Sequence, residues 1–163
     1  EIQLIRVMNT LETQKMSETI RTQIGQLMDA DFFYADVEAT SREEILMQMG
    51  SRLEVAGIVN EDFLPSVLKR ESLSSTDFDY SIAIPHPLHP SSKRSMISIA
   101  VLREPIQWNH FPVKLVILLA LKEEDMEFMQ LFLRWFGKQL DSPDKMMCLL
   151  EAKNVESFIQ AIR

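Results

Sequence analysis

Apolar positions recur at helical spacing over residues 1–28, at Ile2, Ile5, Met8, Leu11, Ile20, Ile24 and Leu27. The stretch from Glu12 to Thr19 is mostly polar, so the segment reads as two helices or as one helix with a solvated middle. It has the character of an entry helix or linker to upstream sequence. Phe32, Phe33 and Tyr34 form a short apolar run suited to an edge strand. Ser41 with Glu44 makes a capping box, and the helix it opens runs through Ile45, Leu46, Met49, Leu53 and Val55 to a C-cap at Gly57. Asn60 is placed to cap a second helix over 61–71, with Pro65 near its first turn.

Three apolar runs follow. Ser81 to Pro85 is short, Met96 to Leu102 alternates as a strand does, and Lys114 to Leu121 is apolar on both faces, as in a central strand covered by helices. A long helix is predicted from Asp125 through Leu140. Ser142-Pro143 caps a further helix to about Ala152, and Asn154 caps a last one. Helices, three or four strands, then helices predict a layered α/β or α+β domain with helices covering a central sheet. The domain is expected over 29–163, preceded by the helix or linker of 1–28.

Composition narrows the function. The net charge of -7 disfavours direct contact with a phosphate backbone, so no nucleic acid partner is expected. No apolar run approaches the ~20 residues of a membrane span, which argues against membrane insertion. The single Cys148 excludes an intramolecular disulfide and a cysteine-rich zinc site, and fits a reducing, cytoplasmic setting. Within Met146-Met147-Cys148-Leu149-Leu150 this cysteine is expected to be buried and inert. The chain starts at Glu1 rather than Met, as expected for a piece of something longer.

The chemistry concentrates in Arg70-Glu71, Ser74-Ser75-Thr76 and Ile82-Ala83-Ile84-Pro85-His86-Pro87. A buried strand runs into a histidine bracketed by prolines, which lock the backbone on both sides. Neutral imidazole is a nucleophile near neutral pH. A phosphoryl group on His86 would need donors. Arg70 offers a planar fork for phosphate oxygens, and Ser75 and Thr76 offer hydroxyls. Against this stands the plainer reading of a loop histidine and a solvated Arg-Glu pair.

This ordered set resembles the phosphorylation site of enzyme IIA domains of the fructose/mannitol class, in the bacterial phosphoenolpyruvate:sugar phosphotransferase system. The likeness continues through Met96 to Arg103, Pro105-Ile106-Gln107-Trp108 and Val113 to Leu121, and spans about residues 28–163. It implies a mixed central sheet flanked by helices. It also implies a phosphoryl group passing from the phosphocarrier protein HPr to His86, with Arg70 stabilising it, and in a transporter onward to a IIB domain. Transporter members resembling the mannitol IIA carry a second histidine at the start of the helix after the central strand. That position is Met126 here, and a thioether cannot hydrogen-bond as imidazole does. His89 is a partial substitute at best.

Ile-Pro-His-Pro-Leu and Pro-Ile-Gln-Trp look more like the IIA-like domains that end multidomain transcriptional antiterminators and activators. There the phosphohistidine is a signal of sugar supply to other domains of the chain. The alternative is a transport IIA component that phosphorylates a IIB domain of a permease. Neither implies a cofactor. A metal site built on His86, His89 and Asp77 or Asp79 is disfavoured by the stiff prolines and the missing cysteine partner.

Other features have structural explanations. His110 is expected in an exposed turn and Trp108 in the core or at its rim. Lys93-Arg94 is an exposed loop pair. The acidic run Glu123-Glu124-Asp125 suits a helix N-terminus. Met126, Phe128, Met129, Phe132, Leu133 and Phe136 form a core-packing face. Homodimerisation through the N-terminal helix or this Met-rich face is compatible with the pattern.

Overall fold

The computed structural model describes residues 2–78 and 81–162, and the side chains of all these except residues 9, 10, 12, 13 and 16. Helix α1 spans Ile2–Leu27 without a break. Strand β1 is Phe33–Val37, followed by helices α2 (Arg42–Val55) and α3 (Phe63–Leu73). Strands β2 (Asp77–Phe78), β3 (Ile82–Ala83), β4 (Met96–Gln107) and β5 (Pro112–Ala120) come next. Helices α4 (Met126–Gln139), α5 (Pro143–Leu150) and α6 (Val155–Ala161) close the chain.

The sheet has the order β1-β4-β5-β3-β2. β1 runs parallel to β4 and β3 parallel to β5, whereas β4 with β5 and β2 with β3 are antiparallel. The sheet is mixed and flanked by helices, as the resemblance implied. Alternation along β4 and β5 divides the core. Ile97, Ile99, Val101, Leu115, Ile117 and Leu119 face α1, α4, α5 and α6. Met96, Ala100, Leu102, Val116, Leu118 and Ala120 face α2 and α3. Each of these Val, Leu, Ile and Met side chains contributes about 1.5–3 kcal/mol when fully buried.

Local chemistry sets the ends. Ser41 accepts the Glu44 amide at 3.1 Å, but the Glu44 carboxylate turns to the Thr40 amide at 2.9 Å. Only half of the expected box therefore forms. Gly57 takes φ +75° after the end of α2, a left-handed turn that glycine adopts without strain. α3 starts at Phe63, later than expected, because Asn60 makes its own turn. Its Oδ1 takes the Asp62 amide at 3.1 Å and its carbonyl takes the Phe63 amide at 3.2 Å. Ser142 and Asn154 cap α5 and α6 as read from the sequence.

One expectation fails. Cys148 is exposed, not buried. α5 buries Met146 and Leu149, three residues apart, and that spacing turns Met147 and Cys148 to solvent. Among the described residues no helix is long and apolar enough to cross a membrane.

Candidate functional site

β3 stops because Pro85 and Pro87 cannot donate to a ladder. The loop that follows is held from three sides. The Ile84 amide donates to the Thr76 carbonyl at 3.4 Å, the Leu119 amide to the Pro85 carbonyl at 3.0 Å, and the Leu88 amide to Ser66 Oγ of α3 at 2.9 Å. His86 sits half-buried in this frame, with Nδ1 3.0 Å from the Ile84 carbonyl oxygen. A carbonyl only accepts, so Nδ1 carries the proton and Nε2 keeps the lone pair. The backbone thus selects, for the neutral ring, the tautomer whose free lone pair is on Nε2.

Arg70 stands in the last turn of α3, where a cation complements the helix dipole. Its Nη1 donates to the Ser74 carbonyl at 2.5 Å. Arg70 and His86 line one pocket of about 220 Å³, together with Gln130. The remaining wall is apolar, formed chiefly by Leu119, Leu121, Met126, Met129 and Leu133. Met126 therefore stands in the same pocket as His86. It is placed there by the start of α4, which is fastened through Ser95. The Ser95 hydroxyl donates to the Asp125 carboxylate and accepts the Lys122 amide at 2.9 Å.

The neighbour of Arg70 behaves differently from a solvated ion. Glu71 is only 3% exposed. Its carboxylate accepts the Thr76 amide at 2.8 Å, the Thr76 hydroxyl at 2.9 Å, the Ser75 hydroxyl at 3.2 Å and the Trp108 indole N–H at 2.5 Å. Ser75 and Thr76 thus direct their hydroxyls to Glu71 and are not among the residues lining the His86 pocket. Asp77 follows and clamps the β4–β5 turn, its Oδ2 accepting the amides of Asn109, His110 and Phe111 at 3.2, 2.7 and 2.8 Å. Burial pushes the Asp77 carboxyl up, but the neighbouring Ser75 hydroxyl dipole and the hydrogen bonds from these three amides outweigh it and hold the group below its ordinary value.

His89 is exposed and does not line the pocket, and His110 and Lys93-Arg94 are exposed as well. Asp79 lies outside the described residues. No cluster of three or more His, Cys, Asp or Glu side chains suited to a metal occurs among the described residues. Sequence reasoning missed Ser66, Gln130 and the Ser95–Asp125 pair. It also missed the role of Glu71, although an acid followed at i+4 and i+5 by Ser-Thr is a local hydrogen-bonding signal. A tautomer-fixed imidazole, one guanidinium and an apolar wall suit covalent capture of an anionic group, with charge stabilised in a water-poor setting.

Residues 26–163 match the family described as phosphoenolpyruvate-dependent sugar phosphotransferase system, EIIA 2. The chain is 31% identical over 127 residues to the probable licABCH operon regulator of Bacillus subtilis (strain 168), covering 78% of this chain and 20% of that protein. It is 32% identical over 122 residues to the transcriptional regulator ManR of the same organism, covering 75% of this chain and 19% of that protein. The chain thus spans about a fifth of the length of these regulators. Among solved structures, the Escherichia coli enzyme IIA–phosphorylated enzyme IIB mannitol complex shares the fold. Its TM-score is 0.70 at 19% identity, with 83% of this chain and 98% of that chain covered.

Proposed function

The chain belongs to the EIIA 2 family of the phosphoenolpyruvate-dependent sugar phosphotransferase system, and from that premise we propose that it is a phosphoacceptor and sensor domain of a cytoplasmic, multidomain regulator of a sugar operon. HPr is the donor, and His86 Nε2 is the acceptor. The phosphorus–Nε2 bond forms as the bond between phosphorus and the donor breaks. The proton on Nδ1 stays with the Ile84 carbonyl, so the ring needs no separate base. Arg70 neutralises charge on the transferred group, the main task in phosphoryl transfer. The observation that best supports this reading is the 3.0 Å bond from Nδ1 to Ile84, which leaves the Nε2 lone pair free on the ring that shares a pocket with Arg70.

Two features favour signalling over transport. The regulators named above match at 31% and 32% identity over three quarters or more of the chain, where a mannitol-specific IIA component matches a larger share at 25%. Met126 occupies the pocket where the transport-type resemblance calls for a second imidazole. A phosphoryl group on His86 then adds a dianion beside an apolar wall, a local electrostatic change that biases contacts with other domains of the same regulator. In the transport reading, a IIB domain would instead take the group onward.

The test is labelling from phosphoenolpyruvate through enzyme I and HPr, beside His86→Ala. Acid-labile, base-stable label that vanishes in the variant supports the assignment. Absence of label on folded protein, with HPr labelled normally, overturns it. Rapid onward passage to a IIB domain would favour transport.

A further inference from the structure

Ile2, Leu4, Ile5, Val7, Met8 and Leu11 on α1 are each more than half exposed, from 53% at Met8 to 70% at Ile2. They are six of the eleven large hydrophobic side chains that stand exposed among the described residues. Leu4, Val7 and Leu11 keep the i, i+3, i+7 spacing of a two-helix seam. A shallow groove continues along Met8, Leu11, Gln14, Lys15 and Glu18.

The other half of the helix faces the opposite way. Ile20 and Ile24 are buried in the core, and Ser17 Oγ accepts the Trp135 indole N–H at 3.0 Å. From Leu11 to Ile20 the helix makes about two and a half turns at 3.6 residues per turn. The seam therefore points away from the domain on which α1 docks. Helical turns without a packed face are marginal in water, so this stripe calls for a cover.

We propose that a second copy of this chain covers it, through a two-fold α1-to-α1 contact along Leu4, Val7, Met8 and Leu11. The seam is apolar on apolar and so complements itself about a two-fold axis. The half-turn offset sets the two domains on opposite sides of the helix pair, clear of each other. The chain carries -7, but residues 2–18 hold two basic and two acidic residues, so net charge does not oppose self-association along this segment. The seam from Leu4 to Leu11 is about 11 Å long and one helix wide and covers on the order of 200 Å² per copy, well below the ~800 Å² of a standard interface. The dimer is therefore weak and depends on concentration.

Sedimentation equilibrium of the 163-residue chain across the micromolar range is the test. The mass should rise from 18.9 kDa toward twice that value as concentration increases. L4E/L11E should hold at 18.9 kDa throughout, with unchanged circular dichroism and unchanged labelling of His86. L4A/L11A, which keeps helix propensity, should dissociate at least tenfold more readily. A native chain that stays monomeric at every concentration overturns the proposal, as does a dimer insensitive to both double variants or assembly beyond two copies. Labelling is read separately, so failure here leaves the His86 assignment untouched.

Discussion

At the residue scale the proposed chemistry rests on the proton on His86 Nδ1 and the guanidinium of Arg70, and each makes a distinct prediction. Arg70→Ala removes the pocket's cation and should slow phosphorylation of His86 by roughly 100-fold, the loss typical of one preorganised donor. Arg70→Lys keeps the charge without the fork and should fall between. Rapid-quench labelling distinguishes the three proteins, and equal rates would remove Arg70 from the mechanism. Met126→His should speed transfer from phosphorylated His86 to a IIB domain by about tenfold, the equivalent of one hydrogen bond of ~1.4 kcal/mol to a charged group. A single-turnover assay reads this directly. His86 and Arg70 were legible in the sequence because their signals are local: prolines on both sides of one, a helix end at the other. The burial of Glu71 was not, because its partner Trp108 lies 37 residues downstream and only the fold joins them.

At the scale of elements, the stretch from Glu71 to Asp77 fastens the end of α3 to the β4–β5 turn. Glu71→Ala would strand the Trp108 indole, the Thr76 amide and two hydroxyls, and should cost about 3 kcal/mol in urea unfolding. Glu71→Gln keeps an acceptor and should cost less. Asp77 gives a pH signature. Its folded pKa lies below the ordinary 3.8, so its stabilisation is fully present above the unfolded carboxyl's pKa and is lost as pH falls through the lowered folded value. Asp77→Asn should be about 1–3 kcal/mol less stable at pH 7, and the difference should close as pH falls through the lowered folded value. Urea melts from pH 7 to 2 follow it, and a gap independent of pH would refute the charged clamp. The caps at Ser41, Ser142 and Asn154 were readable because capping is a nearest-neighbour matter. β2 was not, since two residues carry no period and its pairing rests on β3. The misreading of Cys148 has a related cause. An unbroken apolar run looked buried, yet an eight-residue helix has only one face against the core.

At the scale of the whole molecule, the layered plan was legible from the order of elements, and the mixed sheet from the family resemblance. Periodicity does not reveal how far α1 belongs to the domain. The sequence places a division at residue 28, where the helical pattern ends and the family resemblance begins. Burial points to a division nearer Ser17, because Ile20, Ile24 and Met28 share one core cluster with Phe132, Trp135 and Phe158. Truncation separates the two. Removing residues 1–16 takes away described side chains that stand in solvent and should leave the melting temperature within a few degrees of the parent, with His86 labelling intact. Removing residues 1–28 deletes three buried aliphatic side chains worth about 2–5 kcal/mol each when cut back, as well as the Ser17 partner of Trp135. A domain of this size has a net stability of only about 5–15 kcal/mol, so the shorter fragment should be unfolded or nearly so at 37 °C. Calorimetry on both fragments decides the matter. If 29–163 melted like 17–163, the second half of α1 would be a linker resting on the domain. If only 17–163 folds, α1 is a strut. Its second half then completes the core beneath the sheet that carries the His86 loop, while its first half extends past the domain.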